Sequence, residues 1–232
     1  MSTVETLSKA DAPQFSWHFV TSLSEQSGKD ERCLPQTATI EVLVHKMREF
    51  IISQGMDAFW NLRLFFQQLE KKVVGDGTID REDLRDALLK WGCPFDHRFL
   101  EKIIDLKDQR QVGMVDWRDF VSMLRGELPL ARRNIILDVF TSLSLPHETR
   151  VPLDVLSKAF NGSEHPLVAL GGAAPQQAFE HFVRCTSLAG SSKKVATAVT
   201  VEAFVDYFAD LSPAVDDDGY FEMIVRGCFP NQ

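Results

Sequence analysis

The stretch from Gly75 to Leu84 constrains the chain most, because it follows the second half of a helix–loop–helix calcium site. In such a loop a glycine at position six makes the sharp turn, and oxygens at positions 1, 3, 5, 7, 9 and 12 surround the ion. With Gly77 at position six, three ligand positions hold carboxylates: Asp76, Asp80 and Asp83. The same register puts a cation and an apolar side chain where two more carboxylates belong, at Lys72 and Val74. We therefore expect the scaffold of a calcium loop with a broken ligand set.

The turn pattern that begins at Ile79 recurs three times, at Val115, Val151 and Val199. The first two repeats come at intervals of 36 residues and the third after 48, which indicates one repeated supersecondary unit. Each β-branched residue precedes an amphipathic helix with a capping residue at or near its start. When two such units, called EF-hands, pair, their position-eight residues form a two-stranded sheet. We predict Ile79 beside Val115, and Val151 beside Val199.

The other loops also lack ligands. The second runs from Asp108 to Asp119 and keeps carboxylates at Asp108, Asp116 and Asp119, with Arg110 and Val112 at positions three and five. The third and fourth, Ser144 to Val155 and Leu188 to Ala198, keep almost none. The first loop has a second possible register with two extra residues, which starts at Glu70. Helix capping is the alternative explanation for the remaining aspartates, since it needs no ion.

Composition limits the possible partners. A net charge of −8 and a pI near 5.3 argue against nucleic acid or an anionic membrane. We find neither a membrane-spanning apolar run nor a signal peptide pattern, so we expect no membrane insertion. The four cysteines are widely spaced, which predicts free thiols in a reducing compartment. We expect a cytoplasmic protein.

The predicted fold is all-α: two EF-hand pairs, four degenerate hands in all, with an N-terminal extension and minimal β-pairing between loops. We place a polar extension at 1–37, a first lobe at 38–127 and a second lobe at 128–229. In the extension, Phe15, Trp17, Phe19 and Val20 could anchor a partner or fold back onto the first lobe. Pro152 is expected in the first turn of its helix, and residues 161–175 are expected to form an irregular insertion.

Catalysis is not expected. The six histidines show no metal-binding spacing, and the chain has neither a phosphate-binding loop nor a nucleophile motif. We interpret His181, on an apolar helix, as a packed core residue.

Several segments together resemble the calcyphosin family of EF-hand proteins, from about His45 to Phe229. They are Ser53-Gln-Gly55 after a helix, Leu130 to Phe140, Glu164-His-Pro166, and Phe204 to Ser212 followed by an acidic turn. The resemblance implies two EF-hand lobes in one compact all-α body. It also implies an association with ciliated cells. Every loop departs from the carboxylate pattern of that family, so calcium binding does not follow.

We therefore predict a non-catalytic, calcium-independent scaffold or adaptor that binds protein, with a place in the ciliary or flagellar axoneme. Its partners would be tubulin or other axonemal proteins, and no cofactor is expected. The alternative is a low-affinity Ca²⁺ or Mg²⁺ sensor that uses loops 1 and 2. Its residual ligand candidates are Asp76, Asp80, Asp83, Asp108, Asp116 and Asp119.

Overall fold

The computed structural model describes residues 39–73, 77–108, 112–145, 148–187 and 197–230, with side chains 71–73 outside the description. These residues are mostly helical, with two small antiparallel sheets, so the predicted all-α class is confirmed. The helices are α1 (Ile40–Ser53), α2 (Ala58–Val73), α3 (Arg81–Trp91), α4 (His97–Asp105), α5 (Trp117–Arg125), α6 (Leu130–Leu143), α7 (Leu153–Ala159), α8 (Pro166–Ala169), α9 (Pro175–Thr186), α10 (Val201–Leu211) and α11 (Asp218–Cys228). The strands are β1 (Thr78–Asp80), β2 (Met114–Asp116), β3 (Arg150–Pro152) and β4 (Ala198–Thr200).

The strands pair in the predicted register. Ile79 lies opposite Val115 in the β1–β2 sheet, and Val151 lies opposite Val199 in the β3–β4 sheet. All four of these side chains are buried. The β-branched residue at the centre of each short strand therefore takes part in strand pairing and also packs into the hydrophobic core.

Capping side chains set where the helices after the strands begin. Asp80 accepts a hydrogen bond from the backbone N–H of Glu82 at 2.8 Å, and Thr200 accepts one from Ala203 at 3.2 Å. Asp217 accepts one from Tyr220 at 2.6 Å at the start of α11. Each bond satisfies an N–H that the first helical turn leaves without a partner.

Three local predictions need correction. The sequence pattern predicts a second helix from Met56 to Glu70, but α2 runs from Ala58 to Val73. Pro152 is the last residue of β3 and precedes α7, so it does not occupy the first helical turn. The segment 161–175 is not irregular throughout, because a 3₁₀ turn (Gly162–Glu164) and α8 lie within it. His165 begins α8 by accepting a bond from Leu167 N–H.

Two helices outside the strand-linked units fill apolar faces of the molecule. Helix α1 packs against α2, α4 and α5 and buries Leu43, Met47 and Ile51. Helix α11 packs against α6, and Phe229 at its end contacts the rings of Phe160 and Phe182. Each half of the molecule therefore uses a helix of its own to cover apolar surface.

The two halves meet where α2 packs against α10. The Trp60 indole stacks on the Tyr207 ring, and its Nε1 donates to the Tyr207 carbonyl at 2.7 Å. Next to this stack, buried Asp210 binds two guanidinium groups, those of Arg63 and Arg125. A buried carboxylate with two cationic partners keeps its charge satisfied while joining residues from both halves.

A cluster of polar rings completes this junction. Tyr207 Oη lies 2.7 Å from His165 Nε2 and 3.3 Å from His181 Nδ1. Burial lowers the pKa of His165 to about 4. Burial, then repulsion from His165 and Arg184, lowers the pKa of His181 to about 3. Both rings are therefore neutral in the folded protein at pH 7. The His181 ring is partly buried and packs against the rings of Trp60 and Tyr207, as its interpretation as a packed residue predicts.

We expect stability to fall as the pH drops below 6.5. The two histidines then bind protons in the unfolded protein but stay neutral in the folded protein. The free energy of unfolding therefore falls by about 1.4 kcal/mol per pH unit for each ring. Chemical denaturation between pH 7 and pH 5 measures this slope. His181→Gln should reduce it by about half. The matched change His45→Gln, at an exposed ring on α1, should leave the wild-type slope, and equal slopes in all three proteins would contradict the assignment.

Candidate cation-binding loops

Asp108 is the first residue of the second loop, and its carboxylate already accepts hydrogen bonds from other groups of the chain. Its side chain is buried, and Oδ1 accepts the backbone N–H of Val112 at 2.9 Å. Its Oδ2 accepts the N–H of Gly113 at 3.0 Å and the Nη1 of Arg81 at 3.2 Å. Both oxygens are thus used by donors from within the chain. A carboxylate in this state has little free lone-pair capacity for an ion.

Arg81 brings a positive charge to this loop from the first unit. It follows the N-cap Asp80 of α3, and its Nη2 also contacts Glu101 at 2.7 Å and Asp105 at 2.5 Å. The hydrogen bond from Arg81 lowers the pKa of Glu101, whereas burial raises it. The hydrogen bond is the larger effect, so the pKa is lowered overall. Burial raises the pKa of Asp108, but the bonds from Arg81, Gly113 and Val112 outweigh it and the pKa is lowered. A guanidinium thus neutralises carboxylates that surround the start of loop 2.

The first loop receives the reciprocal contact from the second unit. Glu70 is buried near the end of α2 and accepts the Trp117 Nε1 at 2.7 Å. The Arg118 Nη2 lies 3.4 Å from the same carboxylate, and the Arg118 guanidinium stacks over the Trp117 ring. Glu70 is the first residue of the longer register considered for loop 1. In both loops, the acidic residue at the entrance is held by side chains from the opposite unit.

The backbones of the two loops are joined in the same reciprocal way. The Arg81 N–H donates to the Gly113 carbonyl at 3.0 Å, and the Trp117 N–H donates to the Gly77 carbonyl at 3.3 Å. Gly77 and Gly113 both have positive φ, at 93° and 77°, as the sharp turn at position six requires. A Cβ on Gly77 would meet the Arg118 guanidinium at 2.3 Å, so that glycine also makes room for the cation.

The structure does not bring together the five candidate aspartates that it describes. Asp76 lies outside the described residues. Asp80 and Asp116 cap their helices, Asp83 and Asp119 are exposed, and Asp108 is buried in the contacts given above. Within the described ranges, no group of three or more His, Cys, Asp or Glu side chains is arranged to hold a metal ion.

The second pair of loops is described only in part. Thr149, at the glycine position of the third loop, is exposed and its carbonyl accepts the Val201 N–H at 3.0 Å. The Leu153 N–H donates to the Thr197 carbonyl at 3.0 Å, which repeats the cross-connection of the first pair. Lys193 and Lys194 of the fourth loop lie outside the described residues, as does Arg110 of the second.

The sequence alone does not identify the charged residues that form the ion pairs at these two loops. The sequence pattern assigns no role to Arg81 or Arg118, and it marks Glu70 only as a possible loop start. A cue exists in the sequence, since both arginines lie within two residues of a capping aspartate and Glu70 and Asp108 both precede a glycine turn. Nothing in that spacing tells which unit each guanidinium will reach.

Known proteins similar to this chain carry names that fit the geometry. The chain is 24% identical over 183 residues to Crustacean calcium-binding protein 23 of Faxonius limosus, covering 79% of this chain and 88% of that protein. It is 29% identical over 105 residues to EF-hand domain-containing family member B of Mus musculus, covering 44% of this chain and only 11% of that protein. No family model matches. These similarities support an EF-hand, calcium-binding type of protein, and the closer likeness to calcyphosins stays a prediction.

The same comparisons give no indication of catalysis, since proteins of this type are typically not enzymes. None of the helices in the described part of the chain is long and apolar enough to cross a membrane. The three described cysteines, Cys93, Cys185 and Cys228, are buried free thiols, and Cys33 lies outside the described residues. Burial raises the pKa of Cys93 to about 11, which keeps it a protonated, unreactive thiol.

Asp116→Ala tests whether the loop aspartates cap helices. The carboxylate accepts the N–H groups of Arg118 and Asp119, so its loss should lower the free energy of unfolding by about 1 kcal/mol. Thermal or denaturant unfolding in EGTA and again in millimolar Ca²⁺ measures it. The loss should be equal in both, and Asp119→Ala should cost less than half as much. A loss that appears only with calcium would contradict capping.

Proposed function

We propose that this protein is a non-catalytic, calcium-independent EF-hand scaffold that binds a protein partner. In this proposal the chain forms two EF-hand pairs, with the first lobe at 38–127 and the second at 128–229. The observation that carries the proposal is the internal neutralisation of loops 1 and 2. The charge that an ion would bring is supplied instead by Arg81 to Asp108, and by Arg118 to Glu70.

A divalent ion at loop 2 would compete with the donors that already bind Asp108, so it would bind there weakly. To coordinate Asp108, an ion would have to displace one of its three donors and leave a buried group without its partner. The exposed Val112 offers a side chain without oxygen at position five. A loop with few carboxylates and a nearby cation binds calcium weakly.

The helices that fill the apolar faces support the second part of the proposal. A calcium sensor exposes an apolar groove when it opens. Here Leu43, Met47 and Ile51 of α1 are each no more than 1% exposed, so α1 already occupies the apolar surface of the first half. A covered apolar face supports a protein that stays in one state, as suits a structural component better than a switch.

A low-affinity Ca²⁺ or Mg²⁺ sensor is the second candidate function. One observation favours it: Asp108, Asp116 and Asp119 keep the first, ninth and twelfth positions of loop 2, and Gly113 keeps the turn. The name of the crustacean relative also points to calcium. In this case millimolar ion would have to compete with Arg81.

Calorimetric titration of the EGTA-stripped protein with Ca²⁺ and then Mg²⁺, with melting curves alongside, separates the two functions. A scaffold gives no saturable heat and no change of melting temperature at millimolar ion. Saturable binding below about 100 micromolar would overturn calcium independence. Asp108→Asn would then assign the site, because it should abolish that binding.

The axonemal role extends the proposal through the resemblance to the calcyphosin family, with tubulin or other axonemal proteins as partners. Fractionation of cilia tests it. The protein should stay with axonemes after detergent and moderate salt, together with doublet microtubules. Release with the soluble matrix would contradict the axonemal role and leave the calcium result unaffected.

Arg81→Met should loosen loop 2. Removing the guanidinium frees part of Asp108, so the Val112 and Gly113 amides should exchange hydrogen faster, with a stability loss of about 1 kcal/mol. Hydrogen exchange by NMR measures both amides. Arg85→Met is the matched control, since Arg85 binds Glu101 without contacting Asp108. Unchanged protection in Arg81→Met, or equal loss in both variants, would show that Arg81 does not hold the loop.

A further inference from the structure

The ring cluster at the junction of the halves is a chain of hydrogen bonds whose direction the contacts fix. The backbone N–H of Leu167 donates to His165 Nδ1 at 3.2 Å, so that nitrogen carries no proton. A neutral imidazole keeps one N–H, which must then lie on Nε2. The Nε2–H of His165 therefore donates to Tyr207 Oη at 2.7 Å. His165 is held as a single tautomer.

The Tyr207 hydroxyl extends the chain to a second ring. Because it accepts from His165, its own hydrogen is left to donate, and His181 Nδ1 lies 3.3 Å away. The hydroxyl donates to that nitrogen, which places the proton of His181 on Nε2. The chain therefore runs in one direction, from the start of α8 through α10 to α9.

A proton added to either ring breaks this chain. On His165, a second N–H at Nδ1 would face the Leu167 N–H, so α8 would lose the side-chain bond with which it begins. On His181, an N–H at Nδ1 would face the Tyr207 hydroxyl, whose hydrogen would lose its acceptor. Donors left without acceptors in an interior are unfavourable. The chain is therefore complete only while both rings are neutral.

The charges around the cluster do not compensate such a proton. The titratable and charged groups that surround the two histidines and Tyr207 are Arg63 of α2, Glu164 of the 3₁₀ turn, Arg184 and Cys185 of α9, Asp206 and Asp210 of α10, and Cys228 of α11. Both aspartates are already bound by arginines, and Glu164 is exposed. Within the described part of the chain, no carboxylate hydrogen-bonds to either ring, and Arg184 repels a charge on His181.

A short surface segment covers this cluster. Residues 161–174, which we call the lid segment, contain the 3₁₀ turn and α8, and they carry His165 on their inner side, where it is 0% exposed. On the outer side, Leu170 is 51% exposed. The His165 ring stacks on Trp60 of the first half, with ring centroids 5.6 Å apart. One histidine thus holds the lid segment against rings from both halves.

The base of the lid segment is fixed separately. The Asn161 N–H donates to the Cys228 carbonyl at 2.8 Å. Gly162 packs so closely that a Cβ there would lie 2.7 Å from the Pro175 carbonyl oxygen. These contacts involve no titratable side chain. The segment from His165 onwards can therefore move while its base stays in place.

We propose that the lid segment is a pH-sensitive cover over the junction, held shut by the hydrogen-bond chain of His165, Tyr207 and His181. In acid, His165 takes a proton from solvent and leaves the interior, and α8 loses its first side-chain bond. His181 is then uncovered and binds a second proton, and the faces of Trp60 and Tyr207 become exposed. The cover is independent of the calcium loops, so this inference and the proposed function can fail separately.

Opening should follow the titration of the two histidines. When the lid segment is open, both return to an ordinary pKa of about 6.5. When it is closed, burial lowers the pKa to about 4 for His165 and to about 3 for His181. Acid therefore favours the open state only as the pH falls through 6.5. From pH 7 to pH 5 the opening constant should rise roughly 20-fold for one ring and roughly 500-fold for both.

Hydrogen exchange of single amides by NMR, in EGTA and corrected for the intrinsic effect of pH, tests the cover. The Leu167 amide should open roughly 500-fold more at pH 5 than at pH 7, and roughly 20-fold more in His181→Gln. Low urea should hardly change it, because local opening exposes little surface. The amide of Phe120, buried in α5, should be better protected and depend steeply on urea. Equal protection and urea dependence at both amides would mean that the cluster opens only in global unfolding, and would overturn the proposal.

Tyr207→Phe tests the hydrogen-bond chain, because phenylalanine keeps the ring and removes the hydroxyl between the histidines. It should speed exchange of the Leu167 amide at pH 7 about fivefold, as expected for one lost hydrogen bond, in a protein that melting curves show to be folded. The matched change Tyr220→Phe, at an exposed ring of α11, should leave that rate unchanged. The same rate in Tyr207→Phe as in the wild type would contradict the chain.

Nitrogen NMR of the wild-type histidine rings at pH 7 tests the direction of the chain. Both His165 and His181 should carry their proton on Nε2, with Nδ1 unprotonated. A proton on His165 Nδ1 at this pH would show that Leu167 does not donate to it, and the proposed cover would be wrong.

Discussion

The hydrogen bonds to Asp108 are the constraint on which the first half of the molecule depends. A calcium loop normally closes because an ion gathers oxygens from residues that would otherwise repel one another. Here the backbone of Val112 and Gly113 closes the turn onto Asp108, and Arg81 supplies the neutralising charge. Because Arg81 begins α3, the loop of one unit is fixed by the helix of the other. Contacts within the chain thus hold this turn.

The same solution appears twice, with different chemistry. Glu70, before loop 1, accepts hydrogen bonds from the Trp117 indole N–H and the Arg118 guanidinium. Reciprocity matters because each unit alone would lack the guanidinium that pairs with its entrance carboxylate. Folding of one unit therefore depends on docking of the other. This explains why the short β1–β2 ladder, marginal in isolation, is stable here.

The junction of the halves is also held by ion pairs between carboxylates and arginines, and these pairs are buried. Arg63, Asp210 and Arg125 are joined in an interior where an unpaired charge would be very unfavourable. Asp210 binds both guanidinium groups, and Arg125 Nη1 also lies 3.2 Å from Asp206 Oδ1. Two carboxylates therefore balance the two cations, and the chain itself satisfies the charges at this junction.

Much of the local structure could be predicted because its causes lie close together in the sequence. The pairing of Ile79 with Val115 follows from β-branched residues at fixed distance from a glycine turn, and the caps at Asp80 and Asp116 follow from their place before an apolar helix. The end of α2 was missed because Glu70 is held by Trp117, 47 residues away. The contact of Arg63 with Asp210 joins residues 147 apart. No spacing rule predicts which buried carboxylate a given arginine will reach.

The helices that cover the apolar faces have a consequence for recognition. A partner helix that entered the first half in the manner of a sensor target would have to remove α1 and expose Leu43, Met47 and Ile51. Each of those side chains contributes roughly 1.5–3 kcal/mol of burial, so the replacement would need an equally apolar helix to break even.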